Sequence, residues 1–466
     1  MFQRVLCVYP YRQELHHVGF FPPLGLECIA AAIKPYARNL DLVDLRKENA
    51  CTSDFLRPDT DLVCFSVNWD READFLHHEI SSVPPGLFTI LGGRFATENP
   101  EKWLSEFPQV SAVVRGDGEE AITEICRGVP LEQIAGLSFR RNGAIIHNPN
   151  RTLGPISDDN YPDRSLRRHS YEAELEDVPT GILIDSVSGS RGCPFNCTFC
   201  AFSRNPWGEK RKWSARSPES IVAELEGIKA QFVAFTDDLF TYDMDRVARI
   251  CDLILARGIR KKYIINARLE IAKRPDVLRK MEKAGFALLM LGVESTQDKT
   301  LRSMHKGFTT AGIRDCFQVL RRSSMLLNGY FILGNIGETK DEMRQISPFA
   351  HELGLDFIAL STLRFSPYSG LDELVANSPG YYIAPSGKVY SDQCSVSQLR
   401  QLRRQINREF FSPRQIRHLT WKAIRNGALR FLPGLFLRLP KITWLILQHK
   451  RQKARRRAHR RRPSVS

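Results

Sequence analysis

The tightest constraint on this chain is a group of three cysteines in one short stretch, Cys193, Cys197 and Cys200, spaced Cys-x3-Cys-x2-Cys. Such a loop offers three thiolates to one metal centre, and a cubane [4Fe–4S] cluster held by three thiolates keeps its fourth iron open. The alternative is structural zinc, which is closed by a fourth protein ligand, usually from a second cysteine or histidine pair. No such pair follows nearby in the sequence. The spacing therefore predicts an iron–sulfur cluster whose open iron can bind a further ligand.

The sequence after the cysteines alternates between strand-like and helical segments. The strand-like runs are rich in β-branched and aromatic residues, and they are Phe232–Thr236, Tyr263–Asn266, Ala287–Val293, Leu327–Leu333 and Phe357–Leu363. This alternation predicts parallel strands joined by helical crossovers. Most of these strands end in polar residues or glycine, and a (β/α) barrel carries its chemistry at the carboxyl ends of its strands. We therefore expect a partial barrel with its site at that edge.

The cysteine spacing, with Phe199 directly before the third cysteine, resembles the signature of the radical S-adenosylmethionine (SAM) enzymes. In that family the open iron chelates SAM, and an electron from the cluster cleaves it to a 5′-deoxyadenosyl radical. The resemblance implies a reducing partner of the flavodoxin or ferredoxin type. It also implies SAM contacts at the strand ends: Asp237 and Asp238 for the methionyl part, Arg268 for the carboxylate, Glu294 and Ser295 for the ribose, and Gly334 beside the adenine. A guanidinium near a carboxylate is electrostatically favourable.

The first part of the chain has an α/β pattern of its own. Strands are predicted at Val5–Tyr9, Leu40–Leu45, Leu62–Val67, Phe88–Leu91 and Ala112–Arg115, with helices such as Leu24–Ile33 and Pro100–Phe107 between them. This order predicts a doubly wound parallel sheet of the Rossmann or flavodoxin type, whose ligand crevice lies at the carboxyl ends of the strands. Small residues occupy those ends, because Ser66 closes the third strand and Gly92 and Gly93 follow the fourth.

Three segments of this region look like the cobalamin-binding domain that precedes the barrel in class B radical SAM enzymes: Pro22–Glu27, Ile90–Gly93 and Val114–Glu119. The resemblance implies that Ser66, Gly92 and Gly93 make room for the nucleotide tail of cobalamin, while the corrin faces the barrel. A flavodoxin-like domain without a cofactor is the alternative, because a Gly-Gly pair after a strand is a weak signal by itself.

A histidine pair follows the first predicted strand, in the run Glu14-Leu15-His16-His17-Val18-Gly19. Many cobalamin domains ligate cobalt through a histidine in an Asp-x-His-x-x-Gly motif, and this run is a near match with Glu in place of Asp. Glu14 could orient a ligating imidazole. However, class B radical SAM enzymes commonly lack this ligand, so His16 as a cobalt ligand and His16 as a solvated loop residue both stay open.

The pattern predicts four regions. Residues 1–130 form the cobalamin-binding-like domain, 131–180 a hairpin and linker, 181–375 the barrel, and 376–466 a helical, strongly basic C-terminal region. The hairpin is expected at Gly136–His147, because Asn142 and Gly143 supply its turn. Five strands alternating with helices on each side of this linker indicate an α/β protein throughout.

Charge is segregated at the C-terminal end. Residues 410–466 carry sixteen Lys and Arg and no Asp or Glu, whereas the net charge of the whole chain is +15, so the other 409 residues sum to about −1. Large apolar residues are interleaved up to Leu447, and the run Lys450–Arg462 is polybasic. Such a segment suits an anionic membrane surface. Packing against the barrel with a solvated tail, and nucleic-acid binding, are the second and third alternatives.

Location follows from what the sequence lacks. No run reaches the roughly 20 apolar residues that span a bilayer, and Met1–Val5 enters a predicted strand without a signal-peptide pattern. The other eight cysteines are isolated and mostly lie in or beside apolar runs, where a cysteine is ordinarily a small buried hydrophobe. Reduced thiols indicate a cytoplasmic protein, with peripheral contact at the cytoplasmic membrane face through the tail.

These resemblances imply a methyltransferase that uses a [4Fe–4S] cluster, SAM and cobalamin to methylate an unactivated carbon. The basic apolar tail favours a lipid or isoprenoid-like substrate, and hopanoid methylases share this domain order. Three alternatives stay open: a cobalamin-dependent radical SAM oxidoreductase or cyclase without methyl transfer, a tRNA methylthiotransferase, and a non-enzymatic cobalamin or iron sensor. A methylthiotransferase needs three N-terminal cysteines for a second cluster, and Cys7, Cys51 and Cys64 are not positioned for one.

Overall fold

The structure is a computed structural model that describes residues 1–12, 21–69, 73–159, 161–175, 178–200, 202, 204–205, 207–365 and 369–425. His16 and His17 lie outside the described residues, as does the tail beyond residue 425. The predictions for them therefore stay predictions. Two seven-stranded sheets dominate the fold.

The first sheet contains five parallel strands and a hairpin. Its strands are β1 (Phe2–Tyr9), β2 (Ala37–Asp44), β3 (Thr60–Ser66), β4 (Phe88–Gly92), β5 (Ala112–Val114), β6 (Leu137–Arg141) and β7 (Ala144–His147). They are ordered β2-β1-β3-β4-β5-β6-β7. β1 to β5 pair in parallel, whereas β6 and β7 are antiparallel. This reversal of strand order beside β1 creates the crevice that doubly wound sheets use for ligands.

Helices cover both faces of this sheet. They are α1 (Leu24–Ile33), α2 (Ala73–Ser81), α3 (Arg94–Glu98), α4 (Pro100–Glu106) and α5 (Glu119–Cys126). The strand interiors are apolar on both faces, as expected for a parallel sheet buried between helices. Val5, Leu6, Val8, Val63 and Leu91 are all fully buried in one core.

The predicted hairpin forms, and it belongs to the first sheet because β6 pairs with β5. Its two turn residues are left-handed, with φ of +50° at Asn142 and +81° at Gly143. Asn and Gly are the residues that adopt this conformation most easily, and they set the register of a two-residue turn.

The second sheet is an open partial barrel. Its strands are β8 (Glu172–Leu175), β9 (Val178–Val187), β12 (Phe232–Phe235), β13 (Lys262–Ala267), β14 (Phe286–Glu294), β15 (Leu326–Leu333) and β16 (Phe357–Thr362), while β10 (Ser190–Arg191) and β11 (Ser214–Ala215) form a separate pair. The order is β16-β15-β14-β13-β12-β9-β8. All the strands from β9 to β16 in this sheet pair in parallel. The predicted α/β fold class is confirmed.

The barrel helices are α6 (Pro218–Gly227), α7 (Met244–Ala256), α8 (Pro275–Ala284), α9 (Asp298–Ser303), α10 (Thr310–Leu320), α11 (Lys340–Arg344), α12 (Ile346–Leu353) and α13 (Leu371–Ala376). α8 illustrates why they form where they do. It begins with Pro275, whose fixed φ suits the first helical turn. It ends before Gly285, which has φ of +103° and so adopts the left-handed cap without a side-chain clash.

The chain after the barrel contains a hairpin and two helices. The hairpin is β17 (Tyr381–Ile383) with β18 (Val389–Ser391), and the helices are α14 (Val396–Phe410) and α15 (Pro413–Arg425). The sequence analysis expected only helix here, but the aromatic and β-branched residues on either side of Gly387 (φ +75°) favour a hairpin. Leu399, Ile406 and Phe410 place α14 in the barrel core. Among the described residues, no helix is both long enough and apolar enough to cross a bilayer.

Buried ion pairs join the two sheets. Arg167 donates to both carboxylate oxygens of Glu27, which is fully buried on α1, and also to Asp185 on β9. Tyr171 donates to Asp44 at the end of β2 over 2.9 Å. The linker thus fixes the first sheet to the first strand of the barrel.

Candidate active site

The carboxyl edge of the barrel sheet brings the predicted residues together. The cysteine loop leaves the end of β9, Asp237 and Asp238 follow β12, Arg268 follows β13, Glu294 ends β14 and Gly334 follows β15. Parallel strands place all these positions at the same edge of the sheet. Except for Gly334, each of these residues contacts a neighbouring residue at this edge through a side chain, as described below.

The two aspartates hold the loop that enters the cysteines. Asp237 is fully buried, and its carboxylate accepts hydrogen bonds from Gly189 N at 2.8 Å and Ser190 Oγ at 2.5 Å. Asp238 accepts from Gly192 N, directly before Cys193, at 2.9 Å. Burial raises the pKa of Asp237 to about 6 and also raises that of Asp238. The structure gives both side chains a loop-positioning role, and their direct contact with SAM stays a prediction.

The three cysteines that the resemblance assigns to the cluster are free and partly buried on the loop after β9. Burial raises the pKa of Cys200 to about 12 and also that of Cys193. Metal binding by these thiols therefore releases protons.

Arg268 lies against the cysteine loop. Its guanidinium carbon is 3.7 Å from the centroid of the Phe195 ring and 4.8 Å from that of Phe308. Its Nη1 donates to Cys197 Sγ at 3.7 Å, and its Nη2 donates to the carbonyl of Lys306 at 2.6 Å. A cation over an aromatic face is stabilised by the ring quadrupole. These contacts fix a permanent positive charge beside the predicted cluster ligand.

Glu294 is paired with a buried lysine that the sequence analysis did not single out. Lys306 Nζ lies 2.8 Å from Glu294 Oε1, and both side chains are at most 8% exposed. Glu294 has φ of +71°, a strained conformation for a residue other than glycine. A Cβ at Gly292 would lie 2.6 Å from Lys306 Nζ, so only glycine leaves room for the pair against the strand.

A second buried carboxylate completes the edge beside β15. Ser295 Oγ lies 3.5 Å from Glu338 Oε1, and Glu338 Oε2 accepts from the backbone and side-chain nitrogens of Asn335. Burial raises the pKa of Glu338 to about 7. Asn335 Oδ1 is buried without a hydrogen-bond partner among the described residues. Gly334, with φ of +77°, is packed against Leu399 of α14.

A cavity of about 270 Å³ lies at the carboxyl edge of the first sheet. It brings together all three residues that the sequence analysis selected there, Ser66, Gly92 and Gly93. Gly25 and Gly116 also line it. Asn68 Nδ2 donates to Ser66 Oγ at 2.9 Å, which orients that hydroxyl. The cavity is close to the lower end of the volumes that small-molecule sites occupy, about 300 Å³.

The two glycines after β4 have different roles. A Cβ on Gly92 would meet nothing within 4 Å, so a side chain there would extend into open space at the cavity. Gly93 has φ of +97°, and its Cβ would lie 2.7 Å from the carbonyl oxygen of Val67. Gly93 is therefore required by the backbone turn, whereas Gly92 keeps the cavity wide.

Arg191 connects this cavity to the cysteine loop. It lines the cavity two residues before Cys193, and it pairs with Asp117 at 3.1 Å and Glu119 at 2.5 Å. Arg211, on the far side of the loop, pairs with the same Asp117 at 2.6 Å. Both arms of the cysteine loop are therefore anchored to one acidic segment of the first domain.

One further group of candidate ligands lies in the first domain. Cys51, His78 and Glu79 offer ligand atoms within 4.8 Å of one another. Arg12 donates to Cys51 Sγ at 3.6 Å, and Thr52 donates two hydrogen bonds to Glu79. Both bonds from Thr52 end on Glu79 Oε2, and Glu79 Oε1 is buried without a hydrogen-bond partner among the described residues.

Comparison with known proteins agrees with this geometry. A model of the radical SAM superfamily matches residues 187–349, which run from the end of β9 into α12. An uncharacterized methyltransferase of Pyrococcus horikoshii is 28% identical over 366 residues, 75% of this chain and 77% of the relative. An anaerobic magnesium-protoporphyrin IX monomethyl ester cyclase of Cereibacter sphaeroides is 27% identical over 56% of this chain, and the match covers 44% of the cyclase. Hopanoid C-3 methylase of Methylococcus capsulatus is 28% identical over 65% of this chain and 59% of the methylase.

Among solved structures, the radical SAM methyltransferase TsrM of Kitasatospora setae, with cobalamin and a [4Fe–4S] cluster bound, has a similar fold. The TM-score is 0.66 at 17% identity, over 89% of this chain and 82% of that chain. The chain described here is a radical SAM enzyme. The α/β domain ahead of its barrel is the arrangement expected of the branch of that family whose N-terminal domain is of the cobalamin-binding type.

The residues fit the cofactors of this branch. Three free thiols lie on one loop at the barrel edge, the buried Asn335 Oδ1 is an acceptor that an adenine amino group would satisfy, and Gly25 and Gly92 face open space at the first-domain cavity. When bound, the cluster and SAM supply radical chemistry and cobalamin supplies methyl-transfer chemistry.

Proposed function

We propose that this enzyme transfers a methyl group from SAM to an unactivated carbon, with cobalamin held in the first-domain cavity and SAM held at the barrel edge. The observation that carries the proposal is the position of Arg191. It lines the first-domain cavity and lies two residues before the first cysteine of the cluster loop. A cofactor in the cavity would therefore lie beside the loop that presents the cluster.

Each group of residues has a distinct task in this proposal. Cys193, Cys197 and Cys200 would hold the cluster, and Asp237 and Asp238 fix the loop that presents them. Preorganised groups of this kind lower the cost of reaching the reactive geometry. The barrel wall of buried apolar side chains excludes water, which protects a reactive radical from side reactions.

Charge at the barrel edge suits a zwitterionic ligand such as SAM. Arg268 supplies a guanidinium, whose planar fork of donors matches a carboxylate. Glu338, with its pKa raised to about 7, can act as a hydrogen-bond donor when protonated and as an acceptor when ionised. The edge therefore offers donors and acceptors to both ends of the ligand.

The substrate class is a narrower part of the proposal. A hydrophobic, isoprenoid-like lipid is supported by the 28% identity to a hopanoid C-3 methylase and by the apolar, basic composition of residues 410–466. A polycyclic hydrocarbon has no group that could be activated by acid or base, so radical chemistry suits it. Products would differ from the substrate by one CH2 unit.

The test uses the full chain, reconstituted anaerobically with iron, sulfide and hydroxocobalamin. SAM carrying a deuterated methyl group is supplied with a reductant and a lipid extract. The proposal predicts S-adenosylhomocysteine, 5′-deoxyadenosine and a lipid heavier by one labelled methyl group. Formation of 5′-deoxyadenosine with no labelled product in any lipid fraction, together with an unlabelled cyclised or oxidised product, would contradict methyl transfer and favour the cyclase type of reaction.

A further inference from the structure

The last described helix, α15, has two unlike faces. At about 100° per residue, Gln415, His418 and Lys422 fall within about 60° of one another, and Ile416 and Ile424 lie on the opposite side. Gln415 is buried and donates to the carbonyls of Leu355 and Asp356 at 3.0 Å each. One face of the helix is therefore docked on the barrel through polar contacts.

The docking site is a buried carboxylate. Asp356 is fully buried and precedes β16. Lys422 pairs with it, and His418 Nε2 lies 3.3 Å from its Oδ1. A charge pair out of water fixes geometry more than it adds stability. These contacts hold α15 in one rotational orientation at the amino ends of the barrel strands.

The opposite face of α15 exposes large apolar side chains. Ile416, Trp421 and Ile424 are 53%, 55% and 51% exposed. Arg417 is exposed on the same side of the helix, between Ile424 and Trp421, whereas the exposed Arg414 lies about 40° from His418. A short helix with apolar and basic side chains on one face is typical of elements that lie in a membrane interface.

Charge decides which partner fits this face. Arg400, Arg403, Arg404 and Arg408 are exposed on α14, and residues 410–466 add sixteen cations without an acidic residue. Each cation near an anionic lipid surface contributes about 1 kcal/mol of attraction. At a membrane, the three large apolar side chains would be buried at the boundary between the lipid headgroups and the acyl chains. On a nucleic-acid backbone, they would stay in water.

We propose that the face of α15 formed by Ile416, Arg417, Trp421 and Ile424 docks this enzyme on an anionic membrane surface. This proposal does not depend on the reaction proposed above. The cysteine loop follows the carboxyl end of β9, at the opposite end of the barrel from α15. Docking through α15 therefore concentrates the enzyme at the surface without covering its cofactor end.

The test measures sedimentation of the full chain with vesicles of phosphatidylglycerol and phosphatidylcholine, and with phosphatidylcholine alone. Binding to the anionic vesicles should weaken as salt rises, because the Debye length is about 8 Å at physiological ionic strength. The variant R417Q should bind about 5-fold more weakly, at about 1 kcal/mol per cation. The variant I416S/W421S/I424S should lose about 10-fold or more and keep less salt-resistant binding.

The matched control is Leu255→Ser, which removes an apolar side chain that is 44% exposed on α7. It should bind vesicles like the wild type. All variants should retain wild-type SAM cleavage, which shows that they fold. Vesicle binding by I416S/W421S/I424S equal to that of the wild type would overturn the proposal. Tighter binding to single-stranded RNA than to anionic vesicles, unaffected by the apolar substitutions, would overturn it in favour of nucleic acid.

Discussion

The strands that line the first-domain cavity end differently from the barrel strands. β3 and β4 end in small neutral residues, Ser66 and Gly92 among them, which leave a cavity of about 270 Å³. The barrel sheet ends in charged residues that already contact one another, such as Glu294 with Lys306. A large preformed cofactor can be recognised by shape and backbone, whereas a small zwitterion needs fixed charges. The difference indicates that one edge selects by volume and the other by charge.

The largest expected effect follows from the removal of a predicted metal ligand at the charged edge of the barrel sheet. Cys197→Ala removes one of three thiolates and should lower 5′-deoxyadenosine formation by about 10³-fold or more, together with loss of about four irons per chain. Cys316→Ala is the control, since Cys316 is a half-buried cysteine outside the loop. Iron analysis and chromatography of the nucleoside product measure both quantities. If Cys197→Ala retained SAM cleavage, the barrel edge could not be the site of a cluster that Cys197 holds.

The next effect tests whether the charges at the barrel edge are needed by the fold. Lys306→Met leaves Glu294 buried without its partner and should lower the free energy of unfolding by about 3–5 kcal/mol. Lys280→Met is the matched control, because Lys280 and Asp252 form a 2.7 Å pair with side chains 43% and 47% exposed. That exposed pair is worth at most about 1 kcal/mol. Urea unfolding of the variants, and of K306M/E294Q, measures this. If Lys306→Met and Lys280→Met lost the same free energy of unfolding, burial would not make the Glu294–Lys306 pair more important to stability than an exposed pair.

The smallest effect is a pH dependence that comes from a buried carboxylate at the barrel edge. Burial holds the pKa of Glu338 near 7, above its ordinary value of 4.5, so the folded state retains the proton more strongly than the unfolded state. The resulting stabilisation is complete below about pH 4.5 and is lost as pH rises through 7, by up to about 3 kcal/mol. Glu338→Gln should remove this decline, as measured by urea unfolding between pH 4.5 and 8.

Glu352→Gln provides the control for that titration. Glu352 is half exposed and pairs with Arg314, which lowers its pKa. Its replacement should leave the decline between pH 4.5 and 7 intact. A wild-type profile that rises over this range would show that Glu338 is ionised in the folded state.

Much of this architecture was predictable from the sequence. Helix α1 was predicted and found at Leu24–Ile33, and β14 differs from its prediction by one residue at each end. Strongly periodic apolar segments fix such elements locally. β9 was missed as a strand, because Pro179 and Gly181 disfavour the pattern. Both lie in the part of β9 that extends beyond its pairing with β12, which begins at Ile184. The predicted class of enzyme is confirmed.

The sequence predicted where the site lies better than it predicted which side chains pair within it. The sequence selected Glu294 and the turn after β15, but Lys306 and Glu338 were overlooked. Glu338 lies within that turn, and its neighbour Asn335 could have indicated a buried acceptor pair. Lys306 had no local signal, because the loop after α9 brings it to Glu294 only in the folded chain. Pairing across strand ends is a tertiary property that residue spacing does not encode.

The central claim is that the two edges hold two cofactors separately within one enzyme, and Gly92→Phe tests it most directly. This substitution adds a ring where a Cβ meets nothing within 4 Å, with no positive φ to strain. After anaerobic reconstitution and desalting, the wild type should retain about one equivalent of cobalamin by absorbance, and Gly92→Phe should retain almost none. Both should form 5′-deoxyadenosine from SAM at similar rates. Full retention of cobalamin by Gly92→Phe would contradict the account, because it would put the cofactor elsewhere.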